Sequence, residues 1–371
     1  MENKKLHKKV IISGGGTGGH IFPAISIANA LKALCPDMEI LFVGALGRME
    51  MEKVPAAGYK IIGLPISGFQ RKLTPANIKV IFKLMYSLVK ARRIIADFNP
   101  DVAVGVGGYA SGPLLKIASQ KGIPTVIQEQ NSYAGVTNKL LAKKAAKICV
   151  AYEGMEKFFP KEKIIMTGNP VRQDLVNLES KRDEAISFFG LDKTKKTILI
   201  LGGSLGARTV NDSLAANLDI LKNEEIQVIW QTGPRYFDEM KQKADASGAF
   251  NVKAMAFISR MDLAFAAADL VVSRAGAGTI SELCLVGKAS ILVPSPNVAE
   301  DHQTQNALAL TKKDAAILVK DADAKESLVR TMLATVNQPE ELNRLSQNIL
   351  KLAEKDSAKR IAEEILKLIN G

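Results

Sequence analysis

Cysteine is scarce in this 371-residue chain: Cys35, Cys149 and Cys284 lie far apart and form no zinc pattern. That usage fits a reducing, cytoplasmic setting and excludes a disulfide-stapled scaffold. Long apolar runs are missing too, and none reaches the ~18 residues of a spanning helix. After the basic leader MENKKLHKK, the apolar stretch before the glycines is too short for a signal peptide. A soluble or peripheral protein is expected. Aromatic residues make up only 5%. No strand motif rich in arginine and aromatics occurs, so an RNA-binding role is disfavoured and no nucleic-acid partner is expected. Acid is missing locally: no Asp or Glu lies between Glu52 and Asp97, while nine basic residues do.

What is present is an ordinary globular mix, 47% hydrophobic and 24% charged, long enough for two domains with separate cores. The net charge of +12 is unevenly spread. Residues 1–170 carry 24 Lys/Arg against 11 Asp/Glu, and the rest carries 26 against 27. All the excess lies in the first half, which suggests an anionic partner there; with nucleic acid disfavoured, anionic lipid or a phosphorylated substrate remains.

The first half opens with VIISGGGTGGHIFPAISIANAL, residues 10–31, in which five of the six residues from Gly14 to Gly19 are glycine. Val10 to Ile12 reads as a buried parallel strand, and from Pro23 the spacing of Ile25, Ala28 and Leu31 predicts a helix. Glycines before a helix bring backbone N–H groups close to a phosphate or polar oxygen. Gly14, Gly16 and Gly19 satisfy GxGxxG, but a dinucleotide site also wants an acid at the end of the second strand, ~20 residues on. That strand, Glu39–Val43, ends in Gly44. A nicotinamide dehydrogenase is therefore disfavoured.

The same strand–loop–helix opening recurs in TILILGGSLGARTVNDSL, 197–214. Apolar strands are expected near 8–13, 39–43, 60–64, 101–106, 123–128 and 147–151, then near 197–201, 226–231, 251–257, 269–273, 289–293 and 315–319. Helical segments alternate with them, which predicts an α/β fold of parallel sheets covered on both faces. Two such domains in series, each with a glycine turn, predict a cleft between them. The turn in MTGNPVR, 166–172, is the expected hinge. This places the domains at 1–170 and 171–355. The last helix, about 356–371, either stays with the second domain or crosses to the first.

SRAGAGTISELCLVGKASILVP, 273–294, carries the nucleotide signature. Gly276 and Gly278 open a turn, Thr279 leads into a helix, and Glu282 on its first turns can accept both hydroxyls of a ribose. An acid there also complements the helix N-terminus, which is worth under ~1 kcal/mol. In GGSLGAR, 202–208, Ser204 and several backbone donors suit a diphosphate, with Arg172 as a nearby cation or as a plain surface arginine. AEDHQTQNA, 299–307, offers amides able to read sugar hydroxyls, or is simply a capped, charged helix start.

GGGTGGHIFP, GVGGYASGP at 105–113, QEQN at 128–131, GNPVR at 168–172, GGSLGAR, SRAGAGTISE and DHQTQNA occur in that order. Together they resemble the bacterial family of UDP-N-acetylglucosamine transferases that convert lipid I to lipid II in peptidoglycan synthesis. The resemblance runs from about residue 8 to the end. It implies the GT-B glycosyltransferase fold, two Rossmann-like domains facing a deep cleft, with the last helix returning to the first domain. The first domain would bind acceptor and membrane, the second UDP-GlcNAc. It implies that Thr17, Gly18 and Gly19 border the donor sugar and acceptor diphosphate, with Gly107, Gly108 and Tyr109 on the acceptor side. Asn131 would contact the donor GlcNAc, Arg172 and Ser204 the diphosphate, and Ile258 the uracil through its backbone. Ala277, Gly278 and Thr279 would be substrate-binding, Glu282 would bind the ribose, and Gln303 the sugar hydroxyls. The partners implied are UDP-GlcNAc, undecaprenyl-linked lipid I, anionic inner-leaflet lipids and other cell-wall and division proteins. The setting implied is the cytoplasmic face of the plasma membrane.

The family's reaction is one inverting displacement, needing a base for the acceptor hydroxyl and positive potential for the leaving diphosphate. His20, at a helix N-terminus that disfavours the imidazolium, is the leading candidate base, and Glu129 the alternative. His20 could also merely support the loop. No cofactor and no obligatory metal is expected, and the single DxD, Asp321–Asp323, reads as a loop. For the membrane, Thr74–Pro75 begins a helix running to about Ala96. Val80, Leu84, Leu88 and Ile95 form one face, extended by Ile81. Ile78, Phe82, Met85 and Val89 widen it beyond a core-facing stripe, flanked by Lys79, Lys83 and Lys90. The alternative is a fully buried helix with snorkelling lysines. A UDP-sugar 2-epimerase of the same fold is the nearest rival, and would not require this helix.

Overall fold

The computed structural model describes residues 8–68, 76–171, 175, 178–203, 205–298 and 301–370, with the backbone alone at 76–78. The chain divides into two compact units: Met1–Val171 with Glu354–Gly371, and Arg172–Ala353.

The first unit is built on strands β1 (Lys9–Ser13), β2 (Glu39–Ala45), β3 (Lys60–Leu64), β4 (Val102–Gly105), β5 (Thr125–Glu129), β6 (Lys147–Val150) and β7 (Ile164–Met166). They form one parallel sheet in the order β3-β2-β1-β4-β5-β6-β7. Its helices are α1 (Gly18–Leu34), α2 (Glu50–Ala56), α3 (Ala76–Phe98), α4 (Ser111–Gln120) and α5 (Val136–Ala142). The near-continuous Val/Ile content of β1 and β4 is what a sheet buried on both faces requires. Along β1, Val10 and Ile12 join one core and Ile11 the other, as strand alternation dictates. Ile361, Ala362 and Ile365 enter the Val10 core from the C-terminal helix, which packs on α1.

The second unit repeats the plan, beginning with helix α6 (Arg182–Phe189). Its strands are β8 (Lys196–Leu201), β9 (Ile226–Gln231), β10 (Val252–Met255), β11 (Leu270–Ser273), β12 (Ser290–Leu292) and β13 (Ile317–Leu318). These pair in parallel in the order β10-β9-β8-β11-β12-β13. Helices α7 (Arg208–Ala215), α8 (Leu218–Leu221), α9 (Phe237–Ser247) and α10 (Met261–Ala267) follow, then α11 (Ala277–Val286) and α12 (His302–Thr311). Helices α13 (Ala324–Val336) and α14 (Pro339–Leu350) complete this unit, and α15 (Ser357–Asn370) is the C-terminal helix of the first.

Three sequence expectations need correction. Strand β7 lies just before the expected hinge, where no strand is read from the sequence, because three residues leave too little pattern to register. Helix α1 begins at Gly18, not at Pro23, so Pro23 sits inside the helix and Gly18, Gly19 and His20 form its first turn. Asp321–Asp323 is a short 3-10 helix rather than a loop. Its Asp321 pairs with Arg274 and accepts from the Thr209 hydroxyl at 2.9 Å.

Candidate active site

The first glycine loop sits against the protein itself. Glu50, fully buried at the start of α2, accepts from Gly16 N–H and Ala45 N–H, each at 2.9 Å. A Cβ on Gly15 would overlap Glu50 Oε1, and one on Gly44 would lie 2.5 Å from Glu50 Cγ. Two glycines thus make room for one carboxylate. Where a dinucleotide enzyme ends its second strand in a ribose-binding acid, this chain has Gly44 and an acid turned into the loop. Glu50 is not among the residues that the sequence pattern singles out.

Gly16, with φ +86°, and Gly19 are exposed. A Cβ on Gly16 would meet nothing within 4 Å, and one on Gly19 only Thr17 Oγ1 at 3.7 Å, so the loop's outer side has room for a ligand. Thr17 is the exposed N-cap residue of α1, and Gly18 is half-buried against Phe22. His20, half-buried in the first turn, points Nδ1 at the Gly15 carbonyl oxygen, 3.0 Å away. Thr17 Oγ1 lies 3.3 Å from the same nitrogen, and because a carbonyl only accepts, the shorter Gly15 contact calls for the proton on Nδ1; in that tautomer the lone pair is on Nε2. Gly107 (φ +97°) lies against that edge, where a Cβ would be 2.6 Å from Cδ2 and 2.8 Å from Nε2. Gly108 (φ +85°) sits on Gly15, and Ser111 Oγ donates to Ser13 O at 3.0 Å and Gly107 O at 2.8 Å. Tyr109, half exposed, covers Gly68.

Glu129, the alternative base, is already engaged in this geometry. It is buried, and its Oε1 accepts from Asn131 N–H at 3.1 Å and Asn131 Nδ2 at 3.2 Å. Oε2 accepts from Gly135 N–H at 3.0 Å and Asn138 Nδ2 at 2.8 Å. Four donors fill the carboxylate's four acceptor sites, leaving none for an incoming hydroxyl. Glu129 braces the 129–138 loop and presents Asn131. Asn138, on α5, is a partner that sequence reasoning missed.

In the second unit, Gly276 is the N-cap of α11 and a Cβ on Gly278 would meet nothing within 4 Å. Ala277, Gly278 and Thr279 form the half-buried first turn, and Glu282, also half-buried, follows on the second. Gln303 on α12 accepts from Ser295 N–H at 2.8 Å through Oε1. Buried Asn306 donates to Ala275 O at 3.3 Å, tying α12 to the glycine turn. Ile258 is buried, and its N–H donates to Gln231 Oε1 at 3.4 Å while Gln231 Nε2 donates to Gly203 O at 3.0 Å. Gln231 therefore links the Ile258 loop to the GGSLGAR turn. Hydrogen bonds from the Arg260 guanidinium hold the Asp262 carboxyl well below the usual range and stiffen the same loop. Arg172 and Ser204 lie outside the described residues.

Along α3, Val80, Ile94 and Ile95 are buried. Phe82 (72% exposed), Met85, Tyr86 and Val89 face outward, with exposed Lys79 and Lys83 beside them. The helix is not fully buried, which removes the snorkelling alternative. Two details differ from the sequence reading: Ile81 is on the exposed side, and Lys90 donates to Gly63 O at 2.8 Å. The side chain of Ile78 and the N-cap at Thr74–Pro75 lie outside the described residues. Among the described residues, no helix is long and apolar enough to cross a membrane.

Residues 10–150 match the glycosyltransferase family 28 N-terminal domain and residues 197–363 the family 28 C-terminal domain. The chain is 62% identical to a protein of Parabacteroides distasonis over 362 residues, 98% of each chain. That relative is named UDP-N-acetylglucosamine–N-acetylmuramyl-(pentapeptide) pyrophosphoryl-undecaprenol N-acetylglucosamine transferase. A Flavobacterium psychrophilum protein of the same name is 56% identical over 98% of each chain. The crystal structure of Acinetobacter baumannii MurG is similar at a TM-score of 0.79 and 27% identity, covering 97% of this chain and 99% of that one. The UDP-GlcNAc 2-epimerase of Neisseria meningitidis shares the fold at a TM-score of 0.68 and 14% identity, covering 97% of this chain and 100% of that one.

Proposed function

The chain belongs to glycosyltransferase family 28, and we propose that it is the transferase moving GlcNAc from UDP-GlcNAc to the 4-hydroxyl of the MurNAc of lipid I. The product is lipid II, the disaccharide precursor of peptidoglycan. The observation that carries this reading is the 62% identity, across 98% of both chains, to a relative named for this transfer. The fold is GT-B, two Rossmann-like domains, each with a parallel sheet and a glycine turn at its first strand.

In this reading the acceptor O4 attacks C1 of the donor sugar as the bond from C1 to the diphosphate oxygen breaks, inverting the anomeric centre. The hydroxyl proton passes to His20 Nε2. The tautomer set by Gly15 O supports that role, since it leaves the lone pair where a proton acceptor needs it. The first turn of α11 supplies N–H groups and positive potential to UDP, Glu282 accepts from the ribose, and Gln303 reads the sugar. Arg172 and Ser204 hold the diphosphate. These cations and dipoles offset the charge of the leaving group, so the reading calls for no obligatory metal. The apolar, lysine-edged side of α3 supports peripheral attachment to an anionic bilayer, on the cytoplasmic face where lipid I would be met. Contacts with other cell-wall and division proteins belong to the same setting.

The test is transfer of labelled GlcNAc from UDP-GlcNAc to a lipid I analogue with EDTA present. Formation of the disaccharide lipid is the expected result. No transfer, with UDP-GlcNAc still bound and converted to its 2-epimer, would put the epimerase reading in its place.

A further inference from the structure

Glu50 plays no part in the chemistry described so far. Burying a carboxylate is costly unless its lone pairs are filled, and Gly15 and Gly44 both lack the side chains that would exclude it. A tight turn alone needs no buried acid. The two hydrogen bonds at the loop explain its presence. Gly16 N–H, which donates to Glu50 Oε2 at 2.9 Å, and Gly15 C=O, which accepts from His20 Nδ1 at 3.0 Å, belong to one planar peptide group. A peptide between two glycines turns over at little steric cost. Turned over, it would offer N–H to Nδ1, the proton would move to Nε2, and the ring could no longer accept one there.

We propose that Glu50 is a positioning residue for His20, acting through the Gly15–Gly16 peptide. The carboxylate anchors the N–H end, the carbonyl end then faces the imidazole, and the hydrogen-bond chain from Glu50 to Nδ1 polarises each link in turn. Ala45 N–H, on Oε1 at 2.9 Å, holds the carboxylate itself in place. This inference rests on the transferase reading for its effect on turnover, but its effect on the tautomer does not.

The experiment compares wild type with Glu50→Gln, each with and without His20→Ala. A glutamine can offer its oxygen to only one of the two N–H groups, so the peptide loses its anchor or the side chain does. The chain has three histidines, which keeps spectra of 15N-histidine-labelled protein assignable. The expected result is one His20 tautomer, protonated on Nδ1, in wild type and a mixture in Glu50→Gln. Turnover should fall ~10- to 100-fold, as for other residues that orient a reactive group, with KM for UDP-GlcNAc unchanged. In the His20→Ala background Glu50→Gln should cost nothing more, because the path through which it acts is gone. An unchanged tautomer in Glu50→Gln, or an equal loss of turnover in both backgrounds, overturns the proposal. If Glu50→Gln does not fold, Gly44→Ala carries the same comparison by pushing on Glu50 Cγ. A wild type without transfer activity refutes the transferase reading alone, since the tautomer measurement still decides the role of Glu50.

Discussion

Gly108 lies so close to Gly15 that a Cβ on the first would overlap the carbonyl oxygen of the second. The loop after β4 and the loop after β1 therefore touch main chain to main chain, and the oxygen between them also orients His20.

Gly108→Ala should accordingly disturb both stability and catalysis. A left-handed alanine costs ~1–3 kcal/mol before the overlap is counted. Urea unfolding should register a loss of that order, and turnover should fall with it. Unchanged stability would mean that the loops separate without penalty.

His20→Ala should lower turnover strongly, by ~100-fold or more, the usual range for removing a general base. UDP affinity, measured by calorimetry, should stay near wild type, because the nucleotide is assigned to the second unit. Turnover near wild type would remove His20 from the base role.

Phe82→Asp places a charge in the centre of the exposed apolar side of α3, where the side chain is 72% exposed. Binding to vesicles containing anionic lipid should drop, and the melting temperature should hold because no buried contact is lost. Vesicle binding that survives the change would move membrane contact elsewhere.

Lys288 gives a dependence on pH. Burial pushes its pKa down from 10.5 to about 8, against the pull of Asp269, and Nζ donates to Ala268 O at 2.7 Å. Below about 8 both folded and unfolded chains hold the proton, and the folded state bears the full cost of the buried charge. Between there and 10.5 the unfolded chain binds more protons, so stability from this group rises with pH. The difference in unfolding free energy between wild type and Lys288→Met should move toward wild type by ~1–3 kcal/mol from pH 7 to pH 10. A difference that stays constant across that range would show Lys288 to be effectively solvated.

Both sheets were legible in the sequence because buried parallel strands are written as local runs of Val, Ile and Leu, and glycine turns stand at their ends. The lysine-edged width of α3 likewise marked an outward apolar side, although Ile81 and Lys90 fell differently from their helical angles. What local pattern could not carry was the partner of each loop. Glu50 reaches Gly16 from a helix 34 residues on, and its own neighbourhood, rich in charge, looks solvated. Glu129 stands in a motif that draws the eye to catalysis, yet its donors come from backbone and amide groups whose convergence depends on the fold of the 129–138 loop. Local pattern therefore marks candidate segments better than it marks which atoms are already engaged.

Val10 and Ile361 share one core although nearly the whole chain separates them. During synthesis the second unit, Arg172–Ala353, has all its residues before the first unit has its last helix. Until α15 emerges and packs on α1 and β4, the side chains that share this core with Ile361, Ala362 and Ile365 lack their last partners, and a nascent chain that exposes apolar surface is prone to aggregation.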